Sequence, residues 1–338
     1  MNNTYNGIVN VYKESGFTSH DVVARLRGIC KMKKIGHTGT LDPEAVGVLP
    51  VCFGSGTKLC DLLTDWDKEY IAVLRLGRTT DTQDMTGQIL SECTQEQMEA
   101  LTEERVRETI LNFQGSYDQI PPMYSALKVN GKKLYELARA GKEVERSPRA
   151  VQIREIEILE TELPTVRMRI VCSKGTYIRT LCHDIGGRLG CGGVMESLIR
   201  SRVGIFGIEE ALTLAELEKL RDEGTIASVI VSPDAIFADC RAVIVNESGR
   251  RMVQNGNRLG AAQIARTVQP GREAAQQTDG QTDFTGRLEQ NTDIRAFAEA
   301  EQVRVYDGSG KFYGIYICHG AEGILKPVKM FLTDHDKR

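Results

Sequence analysis

Two runs of alternating apolar and polar residues, AVQIREIEILE (150–160) and TVRMRIVCS (165–173), are separated by only four residues that end in Leu163-Pro164. Each has the period of two that marks a β-strand with one buried face. Four residues cannot make the crossover of a dozen or more that a parallel pair requires, so these strands are expected to pair antiparallel. The same alternation occurs in KEYIAVLRLG (68–77) and, more briefly, in GIVNVYK (7–13). Helices with readable starts stand between the strands. FTSHDVVARLRGI places Thr18 and Asp21 in capping-box spacing ahead of a stripe of Val22, Val23, Leu26 and Ile29. Thr94 with Gln97, and then Thr102, open a helical region through VRETILNF, and Tyr177 to Leu189 reads as a helix stopped by the glycines at 186, 187 and 190. The order of strands and helices has no regular βαβ rhythm. The expected fold class is therefore α+β, a mixed, largely antiparallel central sheet with flanking helices.

The character of the chain changes near residues 238–245. Beyond them, RAVIVNESGRRMVQNGNRLG and EQVRVYDGSGKFYGIYICHGAEGILKPVKMF contain short strands with glycine turns, as a small C-terminal β-barrel would. Two domains are expected, 1–238 and 239–338. A basic loop-helix excursion at about 118–149, with one short helix around Leu134 to Ala140, reads as lying outside the core layers. A second segment, 261–295, is rich in Gln, Thr, Asp and Gly with few large apolar residues, and is expected to be a mobile insertion.

A length of 338 residues suits two domains, and 41% hydrophobic with 26% charged residues is the composition of a globular protein. No run approaches the ~18 apolar residues of a membrane span. The N-terminus also lacks the basic and apolar regions of a secretory signal, so a cytoplasmic protein with no membrane association is expected. Nine cysteines without a CxxC pair read as reduced thiols, not as a zinc site or disulfide frame. The net charge of −3 would argue against a nucleic-acid partner if charge were evenly spread. It is not: Arg25, Arg27, Lys31, Lys33 and Lys34 stand together with no acid between them, and residues 128–154 carry eight basic residues against Glu136, Glu143 and Glu145. Such faces suit phosphates, although a solvated charged helix would look the same.

Few residues stand out as chemical groups. There is no Walker phosphate loop, no GxGxxG after a strand, no HExxH and no GxSxG. His183 and Asp184 are adjacent in a helix, point in different directions and read as structural. In KKIGHTGTLDPEAVGVLP (33–50), Asp42 before Pro43 fits a helix N-cap followed by Pro at the first helical position. Tyr70, Arg179 and Leu198, each taken singly, read as packing or surface residues.

Four stretches change that reading when taken together and in order: GHTGTLDPEAVGVLP, KEYIAVLRLGRTTDTQDMTG, IPPMYSALKVNGKKLYELARAG and CSKGTYIRTLCHDIGGRLGCGG. Their sequence and spacing resemble the TruB-type tRNA pseudouridine synthases over residues 7–206. NVYKESGFTSHDVVARLR is similar to the opening motif of that family, with Glu14 in place of its usual proline. The C-terminal part resembles the family's PUA-like RNA-binding domain more loosely. The resemblance implies a pseudouridine synthase fold and isomerisation of the T-loop uridine of tRNA, position 55, without guide RNA, cofactor or metal. It also implies the T arm of tRNA as partner, a monomer, and no obligatory protein partner. Position by position, it makes Asp42 the catalytic aspartate, Tyr70 the tyrosine that stacks on the target base, and Arg179 the arginine paired with the aspartate. Tyr177 and Leu198 would line the base slot, and His37 would help open the T loop. Lys128, Lys132 and Lys133 in the basic excursion would grip the RNA.

Those residue types fit the chemistry. The reaction breaks a glycosidic bond, turns the base and rejoins it through carbon. An ionised carboxylate can act as nucleophile, and an adjacent arginine favours the ionised form. A flipped base needs an aromatic and apolar slot. Two other readings remain open from sequence: a guide-RNA-dependent relative, against which the basic excursion argues, and a non-catalytic RNA-binding or tRNA-folding protein, against which the intact Asp42, Tyr70 and Arg179 set argues.

Overall fold

The computed structural model describes residues 5–129, 131–269 and 293–332, together with two-residue strands at 277–278, 281–282 and 288–289. The chain begins with β1 (Gly7–Lys13) and α1 (Ser19–Cys30). Thr18 and Asp21 cap one another's backbone, and Val22, Val23, Leu26 and Ile29 form the buried stripe that their spacing predicts. Next come β2 (Ile35–His37), β3 (Val46–Phe53) and β4 (Lys68–Leu76). A small hairpin pairs Arg78–Thr80 with Ile89–Glu92. After it, α2 (Glu103–Leu111) starts at the Thr102 cap. Then follow β5 (Gly115–Gln119), β6 (Arg149–Glu162), β7 (Thr165–Cys172), α3 (Ile178–Leu189), β8 (Gly193–Val203) and α4 (Leu214–Asp222).

The central sheet has the order β1-β3-β8-β4-β7-β6-β5, with β2 added on β3 and the short strand Phe206–Gly207 on β8. The β6–β7 pair is antiparallel, with Ile156 opposite Ile170, and it turns through a cis Leu163–Pro164 bond. Every pairing but one is antiparallel; β3 and β8 run parallel, with Ile199 opposite Val46 and Arg200 opposite Gly47. The sheet is thus mixed and largely antiparallel, the class that the close strand spacing implies. Strand β4 alternates buried and half-buried residues along its whole length. Val106 and Ile110 of α2 join Ile178, Leu181 and Ile185 of α3 in one apolar cluster with β4, β7 and β8. A second cluster packs α1 and α4 with β1 and β3.

Sequence reading expected three glycines to stop α3, but only Gly190 does so, in the left-handed region at φ +79°. The helix runs through Gly186 and Gly187. Gly186 is required by contact: a Cβ there would lie 2.1 Å from the backbone nitrogen of Gly193, so its absence lets α3 touch β8.

The C-terminal part holds β9 (Arg241–Val245), α5 (Glu247–Gln254), β10 (Ile264–Val268), β11 (Gln302–Tyr306), β12 (Phe312–His319) and β13 (Ile324–Met330). They form a curled half-barrel sheet in the order Leu259–Gly260, β13, β12, β11, β9, β10 and 288–289. Ile315 and Phe331 of this part share an apolar cluster with Ile8, Val48, Leu59 and Phe206, which ties it to the central sheet. The segment 261–295, expected to be a mobile insertion, begins with a strand of this sheet. Ile264–Val268 pairs with β9, because Ile264, Thr267 and Val268 supply buried side chains that the polar composition of the segment as a whole conceals. Residues 270–292, apart from the three short strands, lie outside the described residues. No described helix is long and apolar enough to cross a membrane.

The two helix glycines predict opposite outcomes. Gly186→Ala forces backbone apart at Gly193 and is expected to cost about 3 kcal/mol. Gly187→Ala meets nothing within 4 Å and is expected to gain up to about 1 kcal/mol from helix propensity. Urea unfolding of both variants checks this; equal stability would contradict the close α3–β8 contact.

Candidate functional site

The Asp42-Pro43 step does not begin a helix. The backbone nitrogen of Ala45 donates to the carbonyl of Asp42 at 3.1 Å, which closes a turn, and the chain then enters β3 at Val46. The carboxylate that a helix cap would have used internally is therefore presented to its surroundings. The turn is held from β1 and α1. Lys13 Nζ, fully buried, donates to the carbonyls of Pro43 at 2.9 Å and Glu14 at 3.0 Å. The Leu41 nitrogen donates to Ser19 Oγ at 2.9 Å, and Leu41 itself sits in the core.

Arg179 lies in the first turn of α3 and is buried. Its guanidinium grips Asp42 with two atoms, Nε to Oδ2 at 2.8 Å and Nη2 to Oδ1 at 3.1 Å, the fork geometry that suits a carboxylate. The same group donates from Nη1 to the carbonyl of Thr82 at 3.0 Å and from Nη2 to that of Tyr124 at 2.9 Å. Asp84 Oδ2 approaches Nη1 to 3.8 Å. The side chain of Arg179 is 6% exposed while that of Asp42 keeps 36%, so the pair has a buried arginine end and an accessible carboxylate end. Burial is the strongest influence on Asp42 and pushes its pKa above the usual carboxylate value; Arg179 pulls it down, Asp84 raises it, and Lys13 lowers it slightly. Water at the open end moderates the burial effect, and the bidentate grip stabilises the ionised form.

The other sequence-selected residues fall into two groups. Tyr70 and Leu198 lie on adjacent strands β4 and β8 and share an apolar cluster with Leu41, the residue before Asp42. Burial pushes the Tyr70 hydroxyl up to about 12, so the ring is neutral at ordinary pH. Tyr177 caps α3 two residues before Arg179 and is half-buried. Its backbone is held by the buried Gln119, which accepts from its nitrogen at 2.8 Å and donates to its carbonyl at 3.0 Å. His37 ends β2 at the start of the same loop, half-buried and edge-on to His20 at 5.3 Å. Burial, then the nearby His20 and Arg200, lower its pKa, which favours the neutral ring.

Lys128, Lys132 and Lys133 lie apart from the pair, on a small hairpin where Lys128 faces Lys133. Lys128 and Lys132 are exposed, whereas Lys133 Nζ sits 5.3 Å from the centre of the Tyr135 ring. The hairpin is nevertheless wired to the site. Ser125 accepts from the Tyr135 nitrogen at 3.1 Å, and the carbonyl of the preceding Tyr124 binds Arg179.

Sequence reasoning missed Lys13, Thr82, Asp84, Tyr124 and Arg200 as parts of this neighbourhood. Thr82 and Tyr124 act through backbone carbonyls, for which side-chain identity carries no signal. Arg200 had one: on β8 it shares the buried face with Leu198, and a charged residue in a buried register position calls for a reason. Among the described residues no group of three or more His, Cys, Asp and Glu is placed to hold a metal.

Comparison with known proteins gives a consistent result. Residues 27–178 match the TruB family pseudouridylate synthase N-terminal domain, and residues 179–237 match the tRNA pseudouridylate synthase B C-terminal domain. The chain is 49% identical to the tRNA pseudouridine synthase B of Lachnoclostridium phytofermentans, across 97% of this chain and 100% of the relative. It is 37% identical to the tRNA pseudouridine synthase B of Bacillus pumilus, across 97% and 98%. Among solved structures, a Cbf5-Nop10-Gar1 complex aligns with a TM-score of 0.66 at 24% identity, covering 98% of this chain and 86% of that one. An H/ACA RNP bound to a substrate RNA containing 2'-deoxyuridine aligns with a TM-score of 0.65 at 22% identity, covering 98% and 86%. These two establish likeness of fold.

The balance of influences on Asp42 predicts a titration. Removing the guanidinium leaves burial and Asp84, both of which raise the pKa. In Arg179→Gln the Asp42 carboxyl should therefore hold its proton to higher pH than in the parent, with a smaller rise in Arg179→Lys. Carboxyl carbon NMR titration, with Asp42→Asn to assign the signal, measures both. A fall in either variant would contradict the arrangement.

Proposed function

The chain belongs to the TruB family of tRNA pseudouridine synthases, isomerases acting on tRNA, and we propose that it converts the T-loop uridine at position 55 to pseudouridine, with Asp42 as nucleophile and with neither guide RNA nor cofactor. The observation that carries this reading is the two-point grip of Arg179 on a carboxylate whose other side stays accessible. An ion pair that serves only to join two segments has no use for an accessible carboxylate. This one exposes the end that would react.

Each neighbour then takes a part. Arg179 keeps Asp42 ionised and aimed. Tyr70, Leu198 and Tyr177 line the slot for the flipped base, whose aromatic face suits a neutral ring against apolar walls. His37, at the edge of the loop and neutral, stacks on a displaced base of the T loop. The glycosidic bond from N1 to C1′ breaks, the base turns while held in the slot, and C5 joins C1′. The proton lost from C5 balances the one gained at N1, so the overall reaction is redox-neutral and needs no electron carrier. The raised pKa of Asp42 moves the acid limb of activity to higher pH than an ordinary aspartate would give.

The basic hairpin supports stand-alone action. Lys128 and Lys132 extend cationic side chains from a segment bonded to the catalytic arginine, so the grip on the T arm and the reactive pair are parts of one unit. The protein acts as a cytoplasmic monomer without a protein partner. Its C-terminal half-barrel serves as a PUA-like RNA-binding domain, residues 239–338, joined to the catalytic domain 1–238.

Unmodified tRNA incubated with the protein alone should gain pseudouridine at one T-loop position. Asp42→Asn should make none while binding tRNA within about threefold of the parent, because the change removes the nucleophile and not the contacts. Residual turnover in Asp42→Asn comparable with the parent would refute the nucleophile assignment. Replacing Lys128 and Lys132 with Ala should each lower the slope of log affinity against log salt by about 1, and Lys133→Ala by less, since its head group lies over Tyr135. An unchanged slope in the triple variant would place the grip elsewhere.

A further inference from the structure

Arg200 has the greatest volume of the fully buried side chains among the described residues, at 1% exposure. A guanidinium out of water is ordinarily paired with a carboxylate, because desolvation otherwise outweighs what its hydrogen bonds return. Among the described residues no carboxylate pairs with Arg200. Its Nε donates to the carbonyl of Val48 at 2.7 Å, its Nη2 donates to the carbonyl of Gly39 at 3.2 Å, and the Tyr70 hydroxyl beside it favours its charged form. The nearest charged groups include cations, since Arg200 disfavours the charged forms of Lys13, Lys68 and His37. An apolar residue would fill this place at lower cost if packing were its only task.

The three neighbours Val48, Gly39 and Tyr70 identify the task. Gly39 and Val48 lie on the two arms of the loop whose tip carries Asp42, and Tyr70 is directly opposite Arg200 across the β4–β8 pair. On its other side Arg200 is paired with Gly47, where a Cβ would fall 2.3 Å from the Arg200 carbonyl, so β3 and β8 meet here without slack. Beyond Arg200 the β4–β8 register slips by one residue, and Ser201 and Arg202 both bind Glu69 instead. The bulge thus separates one inward arginine from one outward arginine within three residues.

We propose that Arg200 is a positioning residue for the isomerisation, tying the Tyr70 ring to both arms of the Asp42 loop so that the base slot and the nucleophile keep a constant separation. This rests on the assignment of Asp42 and Tyr70 in the reaction above. The planar fork of arginine reaches two carbonyls in different directions while its stem stays beside Tyr70, which a lysine ammonium cannot do. Loss of the tie leaves the slot and the nucleophile each intact but free to drift, and misplacement of reacting groups by about 1 Å costs rate more than binding.

Arg200→Lys and Arg200→Met, assayed with unmodified tRNA for kcat, KM, tRNA affinity and melting temperature, test the proposal. The expected result is a kcat lower by about tenfold in Arg200→Lys and about a hundredfold in Arg200→Met, with KM and tRNA affinity within about threefold of the parent. The partial rescue by Lys is part of the expectation, because its single ammonium can still donate to one arm of the loop. If Arg200→Met does not fold, Arg200→Lys alone decides, since it keeps the charge and most of the bulk. A parent-like kcat in Arg200→Lys, or a kcat that falls only in step with melting temperature and tRNA affinity, overturns the positioning role and leaves the reaction assignment standing. A parent protein that makes no pseudouridine overturns both.

Discussion

One guanidinium holds the candidate site together. Arg179 reaches the loop between β2 and β3 through Asp42, the hairpin after β4 through the Thr82 carbonyl, and the start of the basic excursion through the Tyr124 carbonyl. Those segments are far apart in the chain, and each is irregular backbone whose polar groups need partners. Arginine is suited to the junction because its five donors lie in one plane, so a single buried side chain satisfies carbonyls and carboxylate together. The rigid element is α3, which places Arg179 one step inside its N-terminus and presses against β8 at Gly186. The precision of the site is thus inherited from helix-to-sheet contact.

Electrostatics follow from that placement. Asp42 is caught between burial, which favours its neutral form, and Arg179, which favours its ionised form. Neither dominates completely, because the carboxylate is accessible on one side. Around it stand buried cations that form no ion pair with a carboxylate among the described residues: Lys13 bonded to Pro43, and Arg200 bonded to Gly39 and Val48 beside Tyr70. Burial lowers the pKa of Lys13 to about 8. Each of these cations donates to a backbone carbonyl of the loop that displays Asp42, Lys13 to Pro43 and Arg200 to Gly39. Cations that donate to that loop also bias the space in front of it toward an anionic substrate such as RNA.

Much of the fold was legible in the sequence because its signals are local. The alternation in KEYIAVLRLG became β4, the four-residue gap between 160 and 165 became an antiparallel turn, and the caps at Thr18, Thr94 and Thr102 all began helices. Where local signals failed, a non-local contact had intervened. Gly186 and Gly187 resemble helix breakers, yet the helix passes through because Gly186 is the point of approach to Gly193. The Asp42-Pro43 step resembles a helix start, yet Lys13, Gly16 and Ser19 hold the neighbouring backbone in a turn. Ile264–Val268 sits at the edge of a polar stretch, yet a partner strand was waiting for it.

The sequence by itself determined the list of candidate groups. Asp42, Tyr70, Arg179, Tyr177, Leu198, His37 and the lysines at 128, 132 and 133 were identified by motif order, and residue type sets what each can do chemically. Tertiary structure alone decided which of them meet and with what help. It joined Asp42 to Arg179 across 137 residues, left the lysine hairpin at a distance but bonded through Tyr124, and enlisted Arg200 and two backbone carbonyls that no motif singles out. The physical reason is that hydrogen-bond geometry and burial are properties of three-dimensional neighbours, and a carbonyl oxygen is the same in every residue. Side-chain chemistry is written along the chain, whereas the partners that orient it are chosen only when the chain folds.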